Sequence, residues 1–430
     1  MRGQCVTGRT AGLASAIVLC GAISGQSFAQ DAGKLPSQQE MWEMILRQQE
    51  EISELKQQVE ANKGRVETTE QQAAATTAKV LEVERVANQS PSTPSEQGWW
   101  NRTSLGGYGE LHYNGGDKEE IDFHRFVLFL GHEFNDRIRL YSELELEHAL
   151  AGDGEAGEVE LEQAFIEMDL TDSHALRAGV QLIPVGIINE VHEPPTFYGV
   201  ERNEVETNII PSTWWEGGLG LTGRFAQAFS YDVMYHSGLA VPTSGPNAYK
   251  IRNGRQKVSE AAADSGAMTG RLKWTGVPGV QLAASAQYQW DMTQGADETT
   301  GYLLETHLDM SRNVGAVELG LRALWAGWFL DSESGAAEAL GRDEQTGYYI
   351  EPSLRWAVGD YGDMGVFARY AVWDNNAGAS LIDTEEQQYN FGVNYWPHPN
   401  VVFKMDYQVE ERPAGAEDDN RLDLGVGFQY

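Results

Sequence analysis

The 430-residue sequence carries 64 acidic against 31 basic residues, a formal net charge of −33, which excludes a basic nucleic-acid-binding surface and with it a nucleic-acid partner. Apolar residues make up 41% and mean hydropathy is −0.42. Beyond the extreme N-terminus no apolar run is long enough for a membrane helix, and the length allows one large domain with appendages.

Residues 1–29 have the form of a secretory signal peptide. Arg2 and Arg9 supply a positive start, Ala11–Ile23 a short apolar segment, and Ser27-Phe28-Ala29 a small-x-small cleavage site. Both cysteines, Cys5 and Cys20, fall inside it, so a mature chain has no disulfide or thiol chemistry. Removing the signal takes away two positive charges and moves the net charge from −33 to −35. Residues 30–89 are expected to be a coiled coil. Within Met41–Ala87 one seam reads Ile45, Ile52, Val59, Val66, Ala73, Val80, Ala87, and the other Met41, Gln48, Leu55, Asn62, Thr69, Thr76, Val83. That is about seven heptads without a proline. The Pro/Ser-rich residues 90–98 read as a linker that ends the helix.

From residue 99 to 430 the chain alternates apolar and polar residues. Ile138, Leu140, Leu144 and Leu146 share one face of a segment whose other face is Arg137, Arg139, Tyr141, Glu143, Glu145 and Glu147. One face then meets lipid and the other water. The pattern gives an all-β fold of about 16 antiparallel strands of roughly 10–14 residues. They are placed at 103–113, 120–134, 136–149, 158–171, 174–184, 213–225, 228–238, 266–276, 279–292, 299–310, 313–327, 345–358, 361–374, 384–396, 399–410 and 419–430. Tight turns alternate with long loops, as in a transmembrane β-barrel of the outer membrane with an even strand number and both termini on the periplasmic side; the coiled coil then lies in the periplasm. The 12 Trp and 17 Tyr are enough for interfacial girdles, and Trp214, Trp215, Trp274, Trp290, Tyr348, Trp373 and Trp396 are placed in them. The ending Leu422, Leu424, Val426, Phe428, Tyr430 has the alternation of a closing barrel strand and stops on an aromatic.

The stretch Pro184–Pro211 has no strand or helix period and contains Pro184, Pro194, Pro195 and Pro211. Strand counting makes it the third external loop, and a loop of this length inside a compact fold is either functional or evidence against the strand assignment. It is expected to fold into the barrel mouth and narrow a water-filled pore. The inward phase carries Arg125, Arg137, Arg139, Glu143, Glu145, Arg177, Arg224, Arg322, Arg355 and Arg369, and the loop adds Glu190, Glu193, Arg202 and Glu204. Opposed charges across a wet pore favour small ions and polar solutes.

FHRFVLFLGHEFNDRIRLYSELELEHA and the later LRAGVQLIPVG resemble strand signatures of the phosphate-selective porin O/P family. The resemblance covers most of the chain from about Trp99. It implies a trimeric 16-stranded barrel, a channel for passive diffusion of small hydrophilic solutes including anions such as phosphate, and outer-membrane lipid as partner. Arg125, Arg137, Arg139 and Arg177 match basic strand positions of that family. The third loop departs from the pattern: Glu190, Glu193, Glu201, Glu204 and Glu206 stand against Arg202 alone, with no lysine. Counted as charge, such a loop repels phosphate and gives a slight preference for cations.

No enzyme, cofactor or metal is expected. No convergent Ser/His/acid set is spaced for catalysis. Gly218-Leu-Gly220-Leu-Thr-Gly223 matches a dinucleotide pattern but lies within a strand and opens no helix. Glu190-Val-His192-Glu193 offers donors to a cation yet reads as a solvated acidic loop. The alternative to a channel is a structural anchor, in which the coiled coil makes a peptidoglycan contact and the barrel only holds it in the membrane.

Overall fold

The computed structural model describes residues 98–116, 119–378, 384–413 and 418–430. The expected signal peptide, the expected coiled coil and all of the expected linker but Gly98 lie outside them. The described residues all lie within the compact unit Glu96–Tyr430. It contains β1 (Thr103–Gly115), β2 (Glu119–Asn135), β3 (Ile138–Glu147), β4 (Val159–Thr171), β5 (His174–Leu182), β6 (Trp215–Phe225), β7 (Phe229–His236) and β8 (Ala267–Val277). Then follow β9 (Val280–Gln289), β10 (Thr299–Val314), β11 (Val317–Ser332), β12 (Glu344–Ala357), β13 (Asp363–Asp374), β14 (Glu386–His398), β15 (Val401–Glu411) and β16 (Arg421–Gln429).

Each strand pairs antiparallel with its chain neighbours, and β1 pairs with β16 from Tyr108↔Gln429 to Gly115↔Leu422. Closure removes the sheet edge, so no row of backbone donors is left to lipid. Tyr430 extends the seam by exchanging backbone hydrogen bonds with Gly107 at 2.9 and 3.0 Å. The expected 16-stranded barrel is therefore the observed one. The largest shift in a boundary is at β10 and β11, where β11 ends five residues beyond the expected 327. Ser311 and Arg312 fall between the two expected strands, but they are exposed strand residues, and the turn is at Gly315 with φ 66. The glycine-rich 218–223 segment is β6 strand, where a Cβ at Gly218 would lie 2.2 Å from the Tyr235 carbonyl oxygen on β7.

Alternation sorts the two faces as the sequence implies. Leu219, Leu221, Leu304, Leu319, Phe391 and Phe403 are exposed on the outside. Glu110, Arg125, Glu305, Arg369 and Asp406 are buried inside. A bulge between the pairs Glu110↔Arg125 and His112↔Asp122 lets consecutive residues His124 and Arg125 both face the lumen.

The lumen is not an open tube. Residues 183–214, between β5 and β6, and residues 237–266, between β7 and β8, fold into it. Ile183, Val205, Ile209, Ile210 and Trp214 of the first join Leu239, Tyr249 and Ile251 of the second in an apolar core. Leu303, Leu324, Trp328, Tyr349 and Trp373 close that core from the wall. This corrects the girdle assignment for Trp214, Trp215, Trp373 and Trp396, which are at most 3% exposed and point inward, whereas Trp290 and Tyr348 are exposed on the outside. For Trp373 and Trp396 the physical reason is strand parity. Trp373 shares its face with Phe367, Arg369 and Ala371, and Trp396 shares its face with Asn394.

A charge placed on the outer face tests the membrane orientation of these faces. Leu219→Arg is expected to cost about 2–4 kcal/mol in reversible unfolding from lipid vesicles, against near-neutral Leu219→Phe.

Candidate functional site

The 183–214 loop has little secondary structure, only a 3-10 turn at Pro194–Thr196 and one helical turn at Val205–Asn208. Its buried backbone groups therefore need other partners. The wall supplies them one after another. Trp396 Nε1 donates to the Pro195 carbonyl at 3.1 Å, Arg322 to Thr196 at 3.1 Å, Asn394 to Phe197 at 3.3 Å and Arg369 to Tyr198 at 2.8 Å. The Val200 N–H donates to Asp406 at 2.6 Å, and Trp328 Nε1 donates to the Ile209 carbonyl at 3.0 Å.

Inside the loop, two side chains stand in for secondary structure. Asn189 donates to the carbonyls of Ile183 and Trp214 at 2.8 and 3.0 Å and accepts from the Trp214 N–H at 2.7 Å, tying the two ends together. Glu206, fully buried, accepts from the N–H groups of Ile187 and Ile188 at 2.8 and 2.7 Å and from the Tyr349 hydroxyl at 2.7 Å. Gly186 (φ 79) passes so close that a Cβ there would meet Glu206 Oε2 at 2.6 Å.

The other acids of the loop are also engaged. Glu190 is ion-paired to Arg271 on β8, Glu201 accepts from His112 and Asn114 on β1 at 3.0 and 2.9 Å, and Glu204 accepts from Asn208 at 2.8 Å. Glu193 is half-buried and precedes the 3-10 turn. The segment Glu190–Glu193 is thus not a solvated acidic loop: His192 is buried against the wall, because the loop lies across the lumen rather than on the rim.

The candidate pore residues separate into three groups. At the short-turn rim, Arg137, Arg177, Arg224, Arg271 and Lys273 line a vestibule of about 860 Å³ together with Glu167, Asp169 and Glu190. Arg137 donates to the Asp169 carbonyl at 2.6 Å, and both Arg139 and Arg177 pair with Glu167, at 3.0 and 2.7 Å. A second group holds the loop. Arg369 pairs with Glu351 at 2.7 Å and Arg322 with Asp309 at 3.4 Å, while Arg355 pairs with Asp363 at 2.8 Å and stacks 4.2 Å over the Trp396 ring. The third group faces a space of about 200 Å³ beside the loop, lined by Arg125, Arg202 and Glu204 among others. Arg125 pairs with Glu110 at 2.8 Å and approaches Glu145 at 3.4 Å, and Glu143 and Glu145 lie buried on β3.

Sequence reasoning missed Arg252, Arg255 and Lys257, which the 237–266 loop brings into this same space. The signal was available as a basic run, Arg252-Asn-Gly-Arg255-Gln-Lys257, in an acidic chain. Arg252 donates to the carbonyls of Thr207 and Ser212 at 2.7 and 3.1 Å, Arg255 to that of Thr213 at 2.7 Å, and Arg202 to the Thr213 hydroxyl at 3.3 Å. Among the described residues none of these three guanidinium groups has a carboxylate within ion-pair distance, and Arg202 Nε and Nη2 have no hydrogen-bond partner. Burial and its cationic neighbours Arg255 and Arg202 hold Arg252, on its connecting loop, down to about 10. In the 183–214 loop, burial and the repulsion of Glu410 and Glu201 push the Glu204 carboxyl up to about 7.

Trp214 joins the loop end to the wall core, and its indole N–H donates to Glu216 at 3.0 Å. Trp214→Ala is expected to lower stability by about 3–5 kcal/mol in unfolding experiments, and to widen the conductance distribution in planar bilayers.

No family model matches the chain. The fold is shared with solved outer-membrane proteins. The anion-selective porin of Comamonas acidovorans has a TM-score of 0.53 at 13% identity, covering 76% of this chain and 99% of that one. In vitro-folded OmpT of Vibrio cholerae, in trimer form, has a TM-score of 0.50 at 12% identity, covering 76% and 99%. A protein of Aquifex aeolicus described as uncharacterized is 32% identical over 354 residues, 74% of this chain and 77% of its own length. Identity at that level over most of both chains shows that this protein belongs to the same family as the Aquifex aeolicus protein.

Proposed function

We propose that the protein is a bacterial outer-membrane channel for passive diffusion of small hydrophilic solutes, and that it favours small oxyanions such as phosphate. The observation that carries the proposal is the convergence of Arg202, Arg252 and Arg255, without carboxylate partners among the described residues, on one wet space beside the inward loop. Guanidinium donors fit phosphate and carboxylate oxygens, and rings of arginine select anions in pores. The closed barrel, apolar outside and charged inside, supports the membrane location, with short turns toward the periplasm. The reading agrees with the resemblance to the phosphate-selective porin O/P family. It reverses the cation preference suggested by counting the acids of the third loop, because Glu190, Glu201 and Glu206 are each committed to a partner. No catalysis is assigned to the barrel. A homotrimer belongs to the same reading, supported by the trimer form of OmpT, which shares the fold.

Reversal potentials across planar bilayers in a KCl gradient test the sign. Anion preference is expected for the wild type, with added phosphate reducing chloride current. The Arg202→Ala/Arg252→Ala/Arg255→Ala variant is expected to lose that preference, and a cation-selective wild type refutes the reading.

Glu204 gives the channel a pH dependence. Its carboxyl is raised to about 7, so it is neutral below that pH and adds a negative charge above it. Anion preference is expected to be stronger at pH 6 than at pH 8, and Glu204→Gln should retain the pH 6 value at pH 8.

A further inference from the structure

The 183–214 loop carries His192 onto two glutamates of the wall. The His192 Nδ1–H donates to the Asn189 carbonyl at 3.2 Å, which orients the ring and leaves Nε2 to face the two glutamates. Nε2 lies 3.6 Å from Glu143 Oε1 on β3 and 3.7 Å from Glu162 Oε2 on β4. Those separations are too long for hydrogen bonds. Glu143 Oε1 and both oxygens of Glu162 have no hydrogen-bond partner, although the two residues are only 2% and 0% exposed. Glu145, equally buried, adds a third carboxylate, and the guanidinium group beside it, Arg125, is shared with Glu110.

Unpartnered carboxylates in a dry site call for a cation. Donor atoms that each bind one ion at about 2.0–2.2 Å in a tetrahedral arrangement stand roughly 3.4 Å apart, close to the spacing here. The outer contacts are those of a ligand set: Gln163 Nε2 donates to Glu143 Oε2 at 2.6 Å, and the Asn189 carbonyl orients the imidazole. Among the described residues the other histidine-containing donor group, Asp122, His124 and His148, is satisfied without an ion, since Asp122 Oδ2 lies 2.7 Å from His148 Nδ1 and 3.3 Å from His124 Nδ1.

We propose that Glu143, Glu162 and His192 bind a divalent transition-metal ion of the zinc type, which fastens the inward loop to the barrel wall. Two carboxylates and one imidazole suit such an ion and leave a fourth position for water. The site is independent of whether the barrel conducts.

The test is calorimetric titration of ZnCl2 into the full-length protein in detergent after dialysis against EDTA, with thermal unfolding at and without saturating Zn2+. One equivalent per chain is expected, with affinity weaker by about 100-fold or more in His192→Ala and in Glu162→Gln. Glu162→Gln also removes a buried charge. Without metal it is therefore expected to unfold at a higher temperature than the metal-free wild type, while losing the Zn2+-induced rise, which separates ligand loss from misfolding. Absence of binding to the wild type at about 1 mM Zn2+, or a Zn2+-induced rise that persists in both variants, overturns the proposal.

Discussion

The structure depends on the hydrogen bonding of buried backbone that has no regular secondary structure. A strand in this barrel satisfies its N–H and C=O groups through its two neighbours, but the 183–214 loop crosses the lumen with only two short turns of its own. Every polar group it buries must find a partner, in the loop's own backbone or in a side chain, or leave a penalty of order 1–3 kcal/mol. The wall meets that demand with Trp396, Arg322, Asn394 and Arg369 at four successive carbonyls, Pro195 to Tyr198. Arginines that look like pore lining in the one-dimensional pattern are thus partly structural: Arg322 and Arg369 hold the loop, and Glu351 and Asp309 hold them.

The same constraint explains the apolar core within a barrel whose inner face is otherwise charged. Ile183, Ile209, Ile210 and Trp214 belong to short apolar pairs set among acids, prolines and polar residues. They pay for the ordering of the loop only because the 237–266 loop and the inward faces of β10–β13 present a matching surface. The loop and the wall are consequently one packed unit, and the passages that remain are set by where this unit ends.

Charge behaves in the same way. Composition makes the third loop an acidic feature, yet its glutamates are turned toward Arg271, His112, Tyr349 and backbone N–H groups. The space beside the loop is faced by Glu147, Glu160 and Glu204 and by the cationic set Arg202, Arg252 and Arg255, which has no carboxylate within ion-pair distance among the described residues and two of whose members come from a different loop. Electrostatic preference in a pore follows the charges left unneutralised at the passage and not the sum over the chain.

The sequence by itself determined the 16-stranded barrel, the tight turns and the place of the inward loop. A period of two with dense charge on one face has few solutions, and turn residues mark its boundaries. It also placed Leu219 and Leu319 outside and Arg125 and Arg369 inside, since parity fixes the face once the register is known. Tertiary structure alone decided which inward tryptophans became anchors, which arginines were consumed by the loop, and that Arg252 and Arg255 reach Arg202. Those outcomes depend on contacts between segments 40 or more residues apart, such as Arg252 with Ser212 and Trp396 with Pro195. No local period encodes such a contact, because it arises from where closure of the barrel brings two otherwise unrelated loops.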